Sequence, residues 1–141
     1  MDCKNREGRQ AGQKAFRGKE EIHVSQQEEI NDESLLLTYS RFHHHYHSHF
    51  PGKIRNMGST AAHICYVAMG RAEAAVIANE SFRGLAAARV IIEAAEGKIY
   101  KMDGSEFFLN EYLDGQRIDD RLLVAAPSIF PQVRDYLKEI S

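Results

Sequence analysis

Three short, almost entirely apolar runs are spaced along this chain, and a segment with helical character separates each run from the next. The runs are SLLLTYS from Ser34, AEAAVIA from Ala72 and RLLVAAP from Arg121. A strand whose residues are nearly all apolar is typical of a sheet that is covered on both faces. The alternation of such strands with helices predicts an α/β fold, in which a mostly parallel or mixed sheet is covered by helices.

Helices and further strands are predicted from apolar spacing and from the glycines and prolines at segment ends. The segments with helical spacing are residues 40–50, 58–70, 85–95 and 131–140. The runs KIRNM and KIYKM are predicted to be short strands, as are the two flanks of a turn at residues 17–19. Residues 103–104, Asp-Gly, are predicted to form a tight turn.

Length, charge and cysteine content exclude several classes of protein. A chain of 141 residues is long enough for one domain, which we expect at residues 13–141 after a flexible lead-in at residues 1–12. The net charge of -2 gives no reason to expect nucleic acid or an anionic membrane as a partner. The polar start lacks a secretory signal, and Cys3 and Cys65 do not make a disulfide framework, so we expect a cytoplasmic protein.

Five histidines cluster in the segment HHHYHSH. If residues 40–50 form a helix, His43 lies one turn from His47, and His45 lies one turn from His49. Such pairs of neutral imidazoles can bind a transition metal. The alternative is a solvated helix face, since no cysteine or acid lies close in sequence to complete a ligand set.

The segment RNMGSTAAH places Gly58, Ser59 and Thr60 at the start of a helix. Free backbone N–H groups and the helix dipole attract anions there, phosphate above all, and the hydroxyl groups add donors. The alternative is simple helix capping by one of the two hydroxyl residues. A weaker anion site is predicted at the next helix start, where Arg83 precedes Gly84.

The acidic residues suggest no catalytic centre. Those in the second half of the chain look like surface or turn residues, namely Glu93, Glu96, Asp103, Glu106, Asp114, Asp119 and Asp120. None forms a pair spaced for general acid–base chemistry or for magnesium. Cys65 lies on an apolar helix side, whereas a catalytic thiolate needs a cationic and accessible setting. The residues by themselves therefore predict an anion site without a visible catalyst.

Four segments, taken in order, resemble the carboxy-terminal half of the inositol monophosphatase family. They are GKEEIHVS, IRNMGSTAAHICYVAMGRAEAAVI, GLAAARVIIEAAEGKIYKMDG and LLVAAP, and the resemblance covers about residues 12–140. It implies a mostly parallel sheet with helices on its faces, packed on an amino-terminal half. It also implies a magnesium-dependent, lithium-sensitive phosphatase of inositol and sugar phosphates.

The resemblance also implies metal ligands that this sequence lacks. The family takes them from an upstream glutamate, from a D-P-x-D-G-T segment and from the aspartate of a Trp-Asp-x-Ala-Ala-Gly motif. Gly84 stands in the place of that aspartate, and Ile77 stands in the place of a substrate-binding glutamate. The loop that lines the family's substrate pocket is retained, here as Gly58, Ser59, Thr60 and Ala61. We therefore expect no cofactor in this chain, although the family uses Mg²⁺.

These departures predict a truncated or degenerate, non-catalytic domain that binds a phosphorylated polyol or sugar or acts in assembly. Absence of the amino-terminal half would expose apolar surface, so we expect a homo-oligomer or a complementary chain. One alternative is half of a magnesium-dependent phosphomonoesterase that another chain completes. A second alternative is a metal-binding role through the histidine cluster, His43 to His49.

Overall fold

The structure is a computed structural model of the chain, and it describes residues 4–5, 14–78, 80–108, 117–118 and 121–140. The elements follow one another as β1 Lys4–Asn5, β2 Ala15–Arg17, β3 Glu20–Ile22, β4 Leu35–Thr38, α1 Phe42–His45, β5 Tyr46–Ser48, β6 Lys53–Arg55, α2 Thr60–Ala68, β7 Ala74–Ile77, β8 Glu80–Ser81, α3 Phe82–Ala94, β9 Lys98–Lys101, β10 Arg117–Ile118, β11 Leu122–Ala125, α4 Phe130–Tyr136 and β12 Leu137–Glu139. Apart from β1, the lead-in predicted for residues 1–12 lies outside the described residues.

A five-stranded mixed sheet with the order β6-β4-β7-β11-β9 forms the centre of the fold. Strand β4 runs parallel to β6 and β7, whereas β11 runs antiparallel to β7 and β9. Every residue of β7 and β11 is buried, as expected for central strands that are covered on both faces. The predicted α/β class with a mixed sheet is confirmed, and the parallel pairing is found at β4.

Helices cover the sheet. Helices α2 and α3 pack against each other, and they also contact β7, β9 and β11, while α4 contacts β11. The ring of Tyr100 in β9 stacks on Phe130 of α4, with ring centroids 4.1 Å apart. Gly97 allows close packing after α3, because a Cβ there would lie 2.8 Å from Ile92 and 2.9 Å from Val24.

Two predicted helices are shorter than expected. Helix α1 ends at His45, and the chain continues directly into strand β5. Helix α4 ends at Tyr136, and the chain continues directly into strand β12. The two strands pair antiparallel, with His47 opposite Lys138. Ile140, the last residue of the second of these predicted helices, is 39% exposed. The helix predictions for residues 46–50 and 137–140 are therefore wrong.

The reason for this error lies in the apolar spacing of the segment. Tyr46 and Phe50 are buried, and His47 and His49 between them are exposed. Side chains that are four residues apart lie on one face of a helix. They also lie on one face of a strand, because every second side chain of a strand points to the same side. Pairing with β12 decides in favour of the strand.

Within the part of the chain that the structure describes, no helix has the length and apolar character needed to cross a membrane.

Candidate functional site

A cleft of about 440 Å³ lies between α2 and α3. Its apolar lining comes from alanines of both helices and from Ile64, Leu85 and Ile91. Its polar lining comes from residues near the two helix starts, Ser59, Thr60 and Glu80. The cleft therefore combines an apolar wall with polar groups beside two helix N-termini, as small-molecule sites commonly do.

The predicted glycine–serine loop leads into this cleft. Gly58 has a φ of +82°, a backbone conformation that favours glycine, and its N–H donates to Oδ1 of Asn56 at 2.8 Å. Ser59 caps α2, since its Oγ accepts from the N–H of Ala62 at 3.3 Å. Because capping uses an oxygen lone pair, the hydroxyl proton can still donate to a ligand. Capping and ligand contact are thus compatible for Ser59.

The start of α3 forms the other side of the cleft. Ser81 caps this helix, since its Oγ accepts from the N–H of Gly84 at 3.0 Å. Gly84 lines the cleft, whereas Arg83 is exposed and is not among the lining residues. The structure therefore brings Ser59, Thr60, Ala61 and Gly84 together, and it does not place Arg83 with them.

Glu80 is a residue of this site that the sequence reasoning missed. It lies in β8, is half-buried and lines the cleft. Its Oε2 lies 3.5 Å from the position that a Cβ at residue 84 would take. The sequence feature that could have indicated Glu80 is its place four residues before Gly84, on the segment that leads into α3. The cleft thus holds a carboxylate close to the position at which the family's aspartate was expected.

The donor set does not fit a site for two catalytic cations. Among the described residues, no group of three or more His, Cys, Asp or Glu side chains could hold a metal ion. Of the lining residues, Glu80 contributes a carboxylate, while Ser59 and Thr60 contribute neutral hydroxyl groups. A two-metal site requires several anionic oxygens that hold both ions at a short separation.

The histidine cluster has a different geometry from the one predicted. Because α1 ends at His45, the predicted helical pairs of His43 with His47 and of His45 with His49 do not form. His45 is engaged instead, since its Nδ1 lies 2.6 Å from the hydroxyl of Tyr39. Desolvation lowers the pKa of His45, and the positive charge of nearby Arg121 lowers the pKa further.

Both the sequence and the fold of this chain are similar to those of known proteins. The model of the inositol monophosphatase family matches residues 5–129. An inositol monophosphatase from Anabaena (Nostoc) is 24% identical with a TM-score of 0.68, covering 87% of this chain and 52% of that protein. The Thermotoga maritima IMPase is 21% identical with a TM-score of 0.68, covering 91% of this chain and 49% of that protein.

A third structure contains a ligand. Staphylococcal SaIMPase-II with bound inositol monophosphate is 17% identical with a TM-score of 0.69, covering 91% of this chain and 51% of that protein. The chain therefore spans about half the length of the structures that it matches. No curated protein matches the sequence.

Proposed function

This chain belongs to the inositol monophosphatase family, and from that premise we propose that it is a non-catalytic member that binds a phosphorylated polyol or sugar. In this proposal the chain corresponds to the carboxy-terminal half of the family's fold, and the ligand lies in the cleft between α2 and α3. The observation that carries the proposal is the composition of the cleft, in which two helix starts and the hydroxyl groups of Ser59 and Thr60 share the lining with the carboxylate of Glu80.

The phosphate is proposed to bind at the start of α2. The first N–H groups of a helix have no partner within the helix, and the helix dipole favours an anion there. The hydroxyl groups of Ser59 and Thr60 lie beside these N–H groups and can donate to phosphate oxygens. The polyol hydroxyl groups would then point toward Glu80, because its carboxylate accepts hydrogen bonds from hydroxyl groups and repels a phosphate.

Hydrolysis is not expected from this chain acting by itself. The family is generally magnesium-dependent, and bound cations would stabilise the attacking and leaving oxygens of a phosphate ester. Gly84 supplies no charge, and Glu80 by itself does not make a two-cation site. We therefore propose that the side chains of this cleft bind and orient the ligand without cleaving it.

Calorimetric titration with inositol monophosphate in a chelator-containing buffer tests this proposal. We expect metal-independent binding to the native chain and no binding of unphosphorylated inositol at the same concentration. Thr60→Val keeps the side-chain shape and removes the hydroxyl group, so affinity should fall about tenfold through the loss of one charge-assisted hydrogen bond. Equal affinity for the phosphorylated and unphosphorylated ligands would contradict the proposal.

A second candidate function is half of a phosphomonoesterase that another chain completes. This function is favoured by the observation that the chain covers about half of the length of each matched structure. The required experiment is a phosphate-release assay with magnesium, in which the amino-terminal half of the Anabaena protein is mixed with this chain. Release by the mixture and not by either part would support this function, and no release would count against it.

A further inference from the structure

We propose that His63 is a positioning residue whose buried, neutral imidazole fixes the loop at residues 56–59, and that protonation of this ring releases the loop. The consequence for ligand binding rests on the proposed function, because this loop delivers Ser59 to the cleft. The effect on the loop itself is independent of any ligand.

The anchor is a hydrogen bond between the loop backbone and the ring. His63 lies in α2 with only 3% of its surface exposed, and its Nε2 accepts from the N–H of Met57 at 2.9 Å. Because Nε2 is the acceptor, it carries no proton, and the proton of the neutral ring is on Nδ1. The side chain of Met57 is exposed, so the contact connects an exposed loop to the interior.

The same loop is shaped at two further points. The N–H of Gly58 donates to Asn56 within the loop, and the backbone N–H of His63 donates to the carbonyl oxygen of Ser59 at 3.1 Å. Both of these contacts are local and do not titrate. The contact with Nε2 is different, because its acceptor is lost when the ring gains a proton.

Protonation would place an N–H group on Nε2 facing the N–H of Met57 at 2.9 Å. Two donors cannot share a hydrogen bond, and a charged imidazolium in a buried position has a high desolvation cost. Either the loop moves away or the ring leaves its position. In both cases residues 56–59 lose the conformation that presents Ser59.

Among the described residues, no charged group is found to stabilise a proton on the His63 ring. Burial lowers the pKa of His63 below the ordinary value of 6.5, with no contribution from another charged group. Helix α2 packs against α3, β7 and β11, and the two strands contain no titratable residue. The titratable side chains of α3 are Arg83, Arg89 and Glu93, of which Arg89 pairs with Glu93 at 2.9 Å.

The direction of the pH effect on stability follows from the lowered pKa. Below about pH 6.5 the unfolded chain takes up a proton at His63 before the folded chain does. The contribution of His63 to the free energy of unfolding therefore falls as the pH decreases from 6.5 to the folded pKa, and it levels off below that point. Loop release is expected to accompany protonation in the folded state.

Amide NMR spectra recorded between about pH 7.5 and pH 5 test the loop anchor directly. In the native chain, we expect the Met57 amide to titrate together with the His63 ring, with a midpoint below 6.5. His63→Gln retains an acceptor oxygen at the end of the side chain and cannot titrate, so its Met57 amide should stay at the native position throughout. His63→Leu has no acceptor, so its Met57 amide should show the acid-form signal at every pH.

Two results would overturn the inference. One is a Met57 amide in the native chain that does not follow the His63 ring. The other is the same amide transition persisting in His63→Gln. The native titration decides the question even if a variant does not fold, since it needs no substitution.

Binding of inositol monophosphate separates this inference from the proposed function. The native chain and His63→Gln should bind the probe equally at about pH 7.5, and the native chain should bind about tenfold more weakly than His63→Gln at about pH 5. Titration of the phosphate itself affects both proteins alike. No binding at neutral pH would refute the proposed function only. If the native chain and His63→Gln bound the probe equally well at about pH 5 as well as at about pH 7.5, the role of His63 in presenting Ser59 would be refuted.

Discussion

Residue 84 is a glycine and has no side chain. A Cβ atom at this residue would lie 3.5 Å from Oε2 of Glu80. A carboxylate at residue 84 would therefore be a close neighbour of Glu80. Two such groups repel each other, which raises the pKa of the pair unless a cation binds between them. Glycine at residue 84 thus leaves Glu80 without a second carboxylate beside it at this point of the cleft.

Gly84→Asp is predicted to create a Mn²⁺ site between the new carboxylate and Glu80. The new Cβ would lie 3.1 Å from Oγ of Ser81, so the cap of α3 must shift, which costs about 1 kcal/mol of stability in the absence of metal. Added Mn²⁺ should recover that stability. Electron paramagnetic resonance of free Mn²⁺ measures the binding.

Gly84→Asn is the matched control, since it has the same shape and no charge. Equal Mn²⁺ binding by the two variants, or no binding by either, would show that the carboxylate at residue 84 does not pair with Glu80.

The site residues differ in how far the sequence could predict them. Ser59 was predictable because a cap depends on neighbours within three residues. The roles of Glu80 and His63 were not, for two separate reasons. The position of Glu80 depends on pairing of β8 with β10, which is distant in sequence. The role of His63 depends on burial and on the bend at Gly58, and an isolated histidine in a helix gives no sign of either.

At the scale of elements, the pairing of β5 with β12 replaces the ends of two predicted helices. Backbone hydrogen bonds extend the pairing, from His49 to Tyr136 at 2.7 Å and from Ile140 to His45 at 2.8 Å. Arg121, the residue before β11, supports this pairing. Its guanidinium lies 5.4 Å from the centroid of Tyr46 and 3.1 Å from the carboxylate of Glu139.

Arg121→Met is therefore predicted to lower the free energy of unfolding by about 1–2 kcal/mol, through loss of the cation–π contact and of a partly exposed ion pair. Urea-induced unfolding measures the change. Arg89→Met is the control, because it breaks a partly exposed i,i+4 ion pair within α3 that lacks the cation–π contact and whose expected contribution is about 0.3–0.5 kcal/mol. Equal losses in the two variants would mean that Arg121 has no special role in this pairing.

The central sheet was predictable from sequence, and the β5–β12 pair was not. Strands β7 and β11 are continuous apolar runs, so their burial on both faces follows directly from composition. In residues 46–50 the apolar spacing fits a helix and a strand equally well. The distinction depends on a partner strand that lies about ninety positions away, as the pairing of His47 with Lys138 shows.

At the scale of the whole molecule, the chain spans about half the length of the structures that it matches. Large apolar side chains are exposed on separate elements, among them Val90 on α3, Met57 and Phe108. A second copy that packs on α3 would cover Val90. We therefore retain self-association as a proposal.

Sedimentation velocity at micromolar concentration is expected to show a species larger than a monomer, with a proportion that rises with concentration. Val90→Glu, which adds a charge to the exposed face of α3, should shift the distribution toward the monomer. A native chain that sediments as a monomer over the whole concentration range would contradict self-association.

Phosphorus NMR of inositol monophosphate, incubated with the chain and magnesium, tests the central claim most directly because it reports binding and hydrolysis together. Ala87 lines the cleft from α3, so Ala87→Trp serves as the blocked control. The account predicts that the ester signal broadens or shifts with the native chain and not with Ala87→Trp, and that no inorganic phosphate appears with either. Accumulation of inorganic phosphate with the native chain and not with Ala87→Trp, or an ester signal that the native chain leaves unchanged, would contradict it.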